Sequence, residues 1–166
     1  MKVLNKVVIG MAALTLLTAC GAKKVEYSKF HEQAVEAAKA ENGYTKVTVN
    51  GKAKMKEDGK VTEYTFDKIE IDGFTNGRMD ALTAASKMAA LLLDGSEVKI
   101  IAFSLSQATA EIVPEDKDST YYVGGFQVDS KDGEQKSTVK FDKNGLPTSY
   151  KYSGEGSGSI TLSWSK

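Results

Sequence analysis

The sequence predicts an α+β domain: a curved antiparallel sheet of about 7–8 strands packed on two helices. Three observations predict it. Residues 46–56 alternate between small or apolar and polar side chains with period two, the mark of a sheet with one dry face. Two segments, 28–41 and 76–93, instead carry apolar side chains at helical spacing. From residue 98 onward, short β-prone runs follow one another, divided by Asp132-Gly133, Asn144-Gly145 and the loop Gly154–Gly158.

The first element is an export signal. Met1–Lys6 is a short basic region, and Val7–Leu17 carries no charge. That apolar run of about 11 residues is the length of a signal-peptide core, whereas a membrane-spanning helix needs about 20. It ends Leu17-Thr18-Ala19-Cys20-Gly21, and this stretch resembles the bacterial lipobox. The resemblance implies cleavage between Ala19 and Cys20, with diacylglycerol and a further acyl chain, such as palmitate, on the new N-terminal cysteine. Two or three chains on one residue anchor stably where a single chain is marginal. Cys20 is the only cysteine, so an internal disulfide and a CxxC site are excluded. The expected organisation is a signal peptide over 1–19, a lipidated tether over 20–25 and a single domain over 26–166, lipid-anchored to the extracytoplasmic face of a bacterial membrane.

Loss of residues 1–19 removes Lys2 and Lys6 from a balanced 22 basic and 22 acidic side chains. The mature chain then carries 20 against 22, a net charge of about −2, and lacks the basic excess that nucleic-acid binding calls for. About 145 residues remain, enough for one domain with its own core.

The elements of that domain follow in order. Over 28–41, Ser28 is a candidate cap, Phe30, Ala34, Val35, Ala37 and Ala38 form a stripe, and Asn42-Gly43 is a stop signal. The strand over 46–56 turns at Asp58-Gly59 into a strand over 60–72. There Tyr64 and Phe66 share one parity while Ile69 and Ile71 take the other, so a β-bulge near Asp67-Lys68 is needed to keep one apolar face. Asn76-Gly77 opens a second helix that runs through Leu93 to Asp94-Gly95, and its scarcity of polar residues predicts burial on most sides. Strands are then expected over 98–105, 109–113, 120–128, 136–142, 148–152 and 159–165.

Little in this chain points to catalysis. His31 is the only histidine and stands beside the Phe30–Ala34 stripe without a second metal ligand at helical spacing. No Gly-x-Ser-x-Gly elbow precedes a helix. The acids Glu57-Asp58, Glu115-Asp116 and Asp118 fall at turns, where solvation and capping explain them. Asp116, Asp118, Asp129 and Asp132 lack the spacing and terminal Glu of a calcium loop. The glycines of 154–158 are followed by neither Gly-Lys-Ser nor a helix, so they form a hairpin rather than a phosphate cradle. No catalytic residue, metal or cofactor is assigned.

Aromatic residues carry the remaining signal. Tyr121, Tyr122 and Phe126 surround Gly124-Gly125, and Tyr150, Tyr152 and Trp164 lie on the last strands. Paired glycines in a strand mark a bulge or a close approach to the backbone. The expected ligand site is an apolar pocket between the curved sheet and the second helix, lined by Met79, Leu82, Met88, Leu92, Tyr122 and Phe126. The closing stretch Val139–Pro147, with its Phe141-Asp142-Lys143-Asn144-Gly145 hairpin, and the later Ile160-Thr161-Leu162-Ser163 resemble the closing hairpins of the LolA/LppX-like lipoprotein carriers. That resemblance implies a half-barrel that holds acyl chains; a cystatin-like helix-on-sheet fold has the same order of elements. The sequence thus points to a non-enzymatic, membrane-anchored binding domain for a lipid or another apolar ligand. The alternative is a lipoprotein that binds an envelope protein or serves a structural role and takes no small molecule.

Overall fold

The computed structural model describes residues 21–57, 59–90, 95, 97, 100–101, 105 and 109–166, so the signal segment and Cys20 lie outside the described residues. Strand β1 (Lys23–Val25) is followed by helix α1 (Tyr27–Ala38), the hairpin of β2 (Lys46–Glu57) and β3 (Lys60–Asp72), and helix α2 (Ala81–Ala90). A 3₁₀ turn (Ala110–Ile112) then leads into β4 (Ser119–Val123), β5 (Gln127–Asp132), β6 (Gln135–Phe141), β7 (Pro147–Ser153) and β8 (Ser157–Ser165). All eight strands form one sheet in the order β1-β4-β5-β6-β7-β8-β2-β3. Every pairing is antiparallel, and the sheet is curved and unclosed. The fold is therefore the α+β class that the alternation and the two stripes predict.

One face of the sheet is dry. Val47, Val49, Phe66, Ile71, Tyr121, Val123, Val128, Val139, Phe141, Ile160 and Leu162 pack there with Phe30 and Ala34 of α1 and with Ile100 and Ile101. Helix α1 buries its 30/34 edge, and the Tyr27 hydroxyl donates to the Val113 carbonyl at 3.0 Å. It begins one residue before Ser28, with Glu26 in the cap position and no side-chain cap. Asn42 does not end it. Its side chain instead accepts from the Tyr44 amide and donates to the Asn76 carbonyl, fastening the loop to the Asn76-Gly77 turn.

The bulge lies where the parity break requires it. Val49 pairs with Ile69 and Gly51 with Phe66, so Asp67 and Lys68 stand opposite Asn50 alone. Lys68 takes φ 52°, and its amide donates to the Asn50 side chain at 2.9 Å. Phe66 and Ile71 are thereby buried on one face, with Ile69 packed against the same core. Gly51 serves the same bend. A Cβ there would come within 2.2 Å of the Ser159 carbonyl oxygen, so only glycine lets β8 approach this closely.

Several expectations are corrected. Asn76-Gly77 forms a tight turn closed by the Thr75–Arg78 bridge, and helix α2 starts later, at Ala81. Asp80 caps that helix, its carboxylate accepting from the Leu82 and Thr83 amides. Nor is α2 buried on most sides: Leu82 is 82% exposed, and Ser86, Ala89 and Ala90 are exposed too. The inner face is filled instead by Phe30, Ala34, Ile100 and Ile101. The end of the expected helix, 91–94, lies outside the described residues, and Gly95 is helical rather than a terminator. Ile100, Ile101 and Leu105 are helical, not extended, because a short apolar run reads alike in either state. The strand expected over 109–113 is the 3₁₀ turn. The strand expected over 120–128 is two strands, since Gly124 and Gly125, at φ 86° and 110°, make the turn between them. At the other extreme, Lys23–Val25 of the expected tether pairs with β4 and extends the sheet.

Candidate functional site

The inner positions of β5, β6 and β7 change character along their length. Val128, Val139 and Phe141 are core residues. One step toward the β5–β6 turn, Ser130 stands opposite Ser137, and one step further Asp132 opposes Gln135. Helix side chains cover the apolar end of this gradient. The polar end remains a cleft of about 490 Å³, walled by Met55, Ile100, Tyr150 and Tyr152 and by Ser130, Ser137, Asp132 and Gln135. Lys56, Lys136 and Glu155 stand at its mouth. A second recess of about 150 Å³ shares Ser130, Ser137 and Tyr150 with it and runs under Val113 and Pro114.

The two tyrosines form its apolar wall. Their rings stack 5.4 Å apart at 27°. Tyr152 lies over Gly158, its cross-strand partner, whose missing Cβ would otherwise sit 2.3 Å from the ring. Gly158 thus fixes the plane of Tyr152 by its absence of bulk. Burial, with a smaller contribution from Tyr152, pushes the Tyr150 hydroxyl up to about 12. Burial also raises Tyr152. Both rings stay neutral at physiological pH and offer uncharged surface. Deeper in, the Ser130 and Ser119 hydroxyls lie 2.6 Å apart, and Ser119 donates to Asp116 at 2.9 Å. The arrangement can hold an uncharged body against aromatic and aliphatic carbon and a polar group against hydroxyls, an amide and a carboxylate. Its volume lies in the range of about 300–1,000 Å³ typical of ligand clefts.

The residues expected to line a pocket do not converge on this cleft. Phe126 is a core residue with its ring edge-on to Phe30. Tyr122 points to the opposite face of the sheet from Tyr121 and Val123. Met79 packs against the core near Gly73, while Leu82 faces solvent. Leu92 and the Met88 side chain lie outside the described residues. The lining residues that were missed carry a readable signal: Ser130, Ser137 and Gln135 occupy inward parities that the neighbouring valines fill with hydrocarbon.

The other candidates disperse. His31 stacks on Tyr27 at 5.6 Å, away from the cleft walls. Asp116 accepts from the Asp118 amide and from Ser119, which is turn capping. Asp129 is held on the outer face by Gln127 and Thr138, whereas Asp132 faces the cleft, so these acids do not gather around one point. Among the described residues, no three His, Cys, Asp or Glu side chains come together as metal ligands. No helix among them is long and apolar enough to cross a membrane. Comparison with protein-family models and with curated proteins gives no match.

Proposed function

We propose that this chain is a lipid-anchored extracytoplasmic binding protein whose ligand is a small amphipathic or lipid-like molecule held without chemical change. The observation that carries the reading is the cleft. Stacked Tyr150 and Tyr152, with Met55 and Ile100, supply apolar surface, while Ser130, Ser137, Asp132 and Gln135 supply a few directed polar groups. That balance of apolar wall and sparse polar contacts is what small-molecule sites use for affinity and orientation respectively. Anchoring through Cys20 rests on the Leu17–Cys20 motif and its apolar leader. The acyl-chain ligand implied by the carrier resemblance fits the aromatic wall; the serine layer adds a place for its polar head.

Native mass spectrometry of the full chain purified from its membrane tests this, with an organic extract of the same sample. The expected result is a near-stoichiometric adduct beyond the covalent lipid, lost when Tyr152→Ala removes half of the aromatic wall. A bare lipoprotein mass, unchanged after incubation with lipid extracts, would overturn the reading in favour of an envelope-protein partner.

A further inference from the structure

The face of the sheet turned away from the helices is strongly cationic, and its charge belongs to one side of the molecule. Outward positions on the five contiguous strands β5, β6, β7, β8 and β2 carry Lys52, Lys131, Lys140 and Lys151, and also Lys56 and Lys136 at the rim this face shares with the cleft mouth, all exposed. None of these six is ion-paired among the described residues. Lys46 and Lys54 also point outward but bridge to Glu70 and Glu63 of β3. The only carboxylate at an outward position of those five strands is Asp129, already engaged by Gln127 and Thr138. Serines and threonines, chief among them Ser149, Ser159 and Thr161, fill the positions between the lysines. Lys131 and Lys136 stand directly opposite each other across β5 and β6. Like charges in that register destabilise a sheet unless something of opposite sign offsets them.

The anchored edge belongs to the same face. Lys24 is the cross-strand partner of Tyr122, and one row runs from Lys24 through Tyr122, Gln127, Lys140, Ser149 and Thr161 to Asn50. Lys23 follows Cys20 by three residue steps, a reach of at most about 11 Å. A lipid on Cys20 therefore holds the Lys24 end of this row near the headgroups. Tyrosine beside lysine is the pairing that membrane–water interfaces favour.

We infer that the outer face of the sheet lies on the anionic headgroups of the membrane that holds Cys20, with the ligand cleft on the opposite face of the sheet. This rests on the lipid-anchored reading above. It also deepens that reading, because it sets the cleft on the side of the sheet turned from the bilayer. Each lysine near an anionic surface contributes about 1 kcal/mol, and the attraction fades within a Debye length of about 10 Å in moderate salt.

The test uses the full lipidated chain in vesicles of phosphatidylcholine alone or with about a third phosphatidylglycerol. Brief labelling with an amine-reactive reagent is followed by peptide mass spectrometry. With phosphatidylglycerol, labelling of Lys131, Lys140 and Lys151 should fall about fivefold, the ratio that about 1 kcal/mol per lysine implies. Lys29 on α1 and Lys117 should not change. High salt should restore labelling at all three, and the Lys140→Glu/Lys151→Glu variant, with an unchanged circular dichroism spectrum, should restore it at Lys131. Equal labelling in both vesicle types overturns the inference, and so does protection by a soluble anionic polymer without protection on vesicles. Intact mass reports separately whether Cys20 carries lipid. Should it not, co-sedimentation of the unlipidated chain with phosphatidylglycerol vesicles still supports the outer face by binding, or overturns it by staying in solution.

Discussion

Tyr150 shows how one buried side chain ties the core to the cleft. Its ring belongs to the hydrophobic cluster, yet its edge forms part of the ligand wall. Because burial holds its hydroxyl at about 12, above the ordinary tyrosine value of 10.0, the folded protein keeps this proton after the unfolded chain has begun to release it. The sign follows from linkage: where the native state binds more protons than the unfolded state, stability falls as pH rises. Stability contributed by neutral Tyr150 is complete below pH 10 and is lost progressively up to pH about 12. Denaturant titrations across that window should show a steeper loss for the natural chain than for Tyr150→Phe, which has no proton to release. Equal slopes would show that Tyr150 is not the group responsible.

At the scale of single elements, β3 was the most legible part of the fold. Its parity break between Phe66 and Ile69 can be repaired in only one economical way, and Asp67-Lys68 does bulge opposite Asn50. Lys68 sits there at φ 52°, a left-handed conformation that costs a side-chain-bearing residue about 1–2 kcal/mol. Lys68→Gly should relieve that strain, less the greater backbone entropy glycine loses on folding, for a net gain of up to about 1 kcal/mol in chemical denaturation. A loss of stability would mean that the Lys68 side chain contributes more than its backbone costs. Turns were legible for a related reason, since Asp132-Gly133 and Asn144-Gly145 supply the backbone freedom their hairpins use. The segment 98–105 was not legible. Its Ile100 and Ile101 are apolar neighbours, a pattern without period over so few residues, and tertiary packing decides for helix. The cleft was missed for a different cause. Hydrophobicity groups Met79, Leu82 and Phe126, whereas the observed site lies where hydrophobicity fails, at Ser130 and Ser137 inside the alternation.

Across the whole molecule, one apolar cluster reaches from α1 through β4–β8 to β2 and β3 and ends at the cleft. Continuity of that kind predicts a single cooperative unfolding transition, to which ligand binding is coupled by mass action. A ligand present at about 100 times its dissociation constant stabilises the native state by about 2.7 kcal/mol. For a chain of this length each kcal/mol moves the midpoint by roughly 2–4 °C, so the expected rise is about 5–10 °C. Ser137→Trp separates binding from fold stability, because position 137 is half-buried and faces the cleft rather than the packed core. An indole there occupies ligand space and should leave the ligand-free midpoint near that of the natural chain while abolishing the ligand-induced rise. If the rise survives the substitution, the ligand sits elsewhere. If the ligand-free midpoint instead collapses, the space beside Ser137 is packed core, and the gradient from valine to serine along β5 and β6 does not mark a binding site.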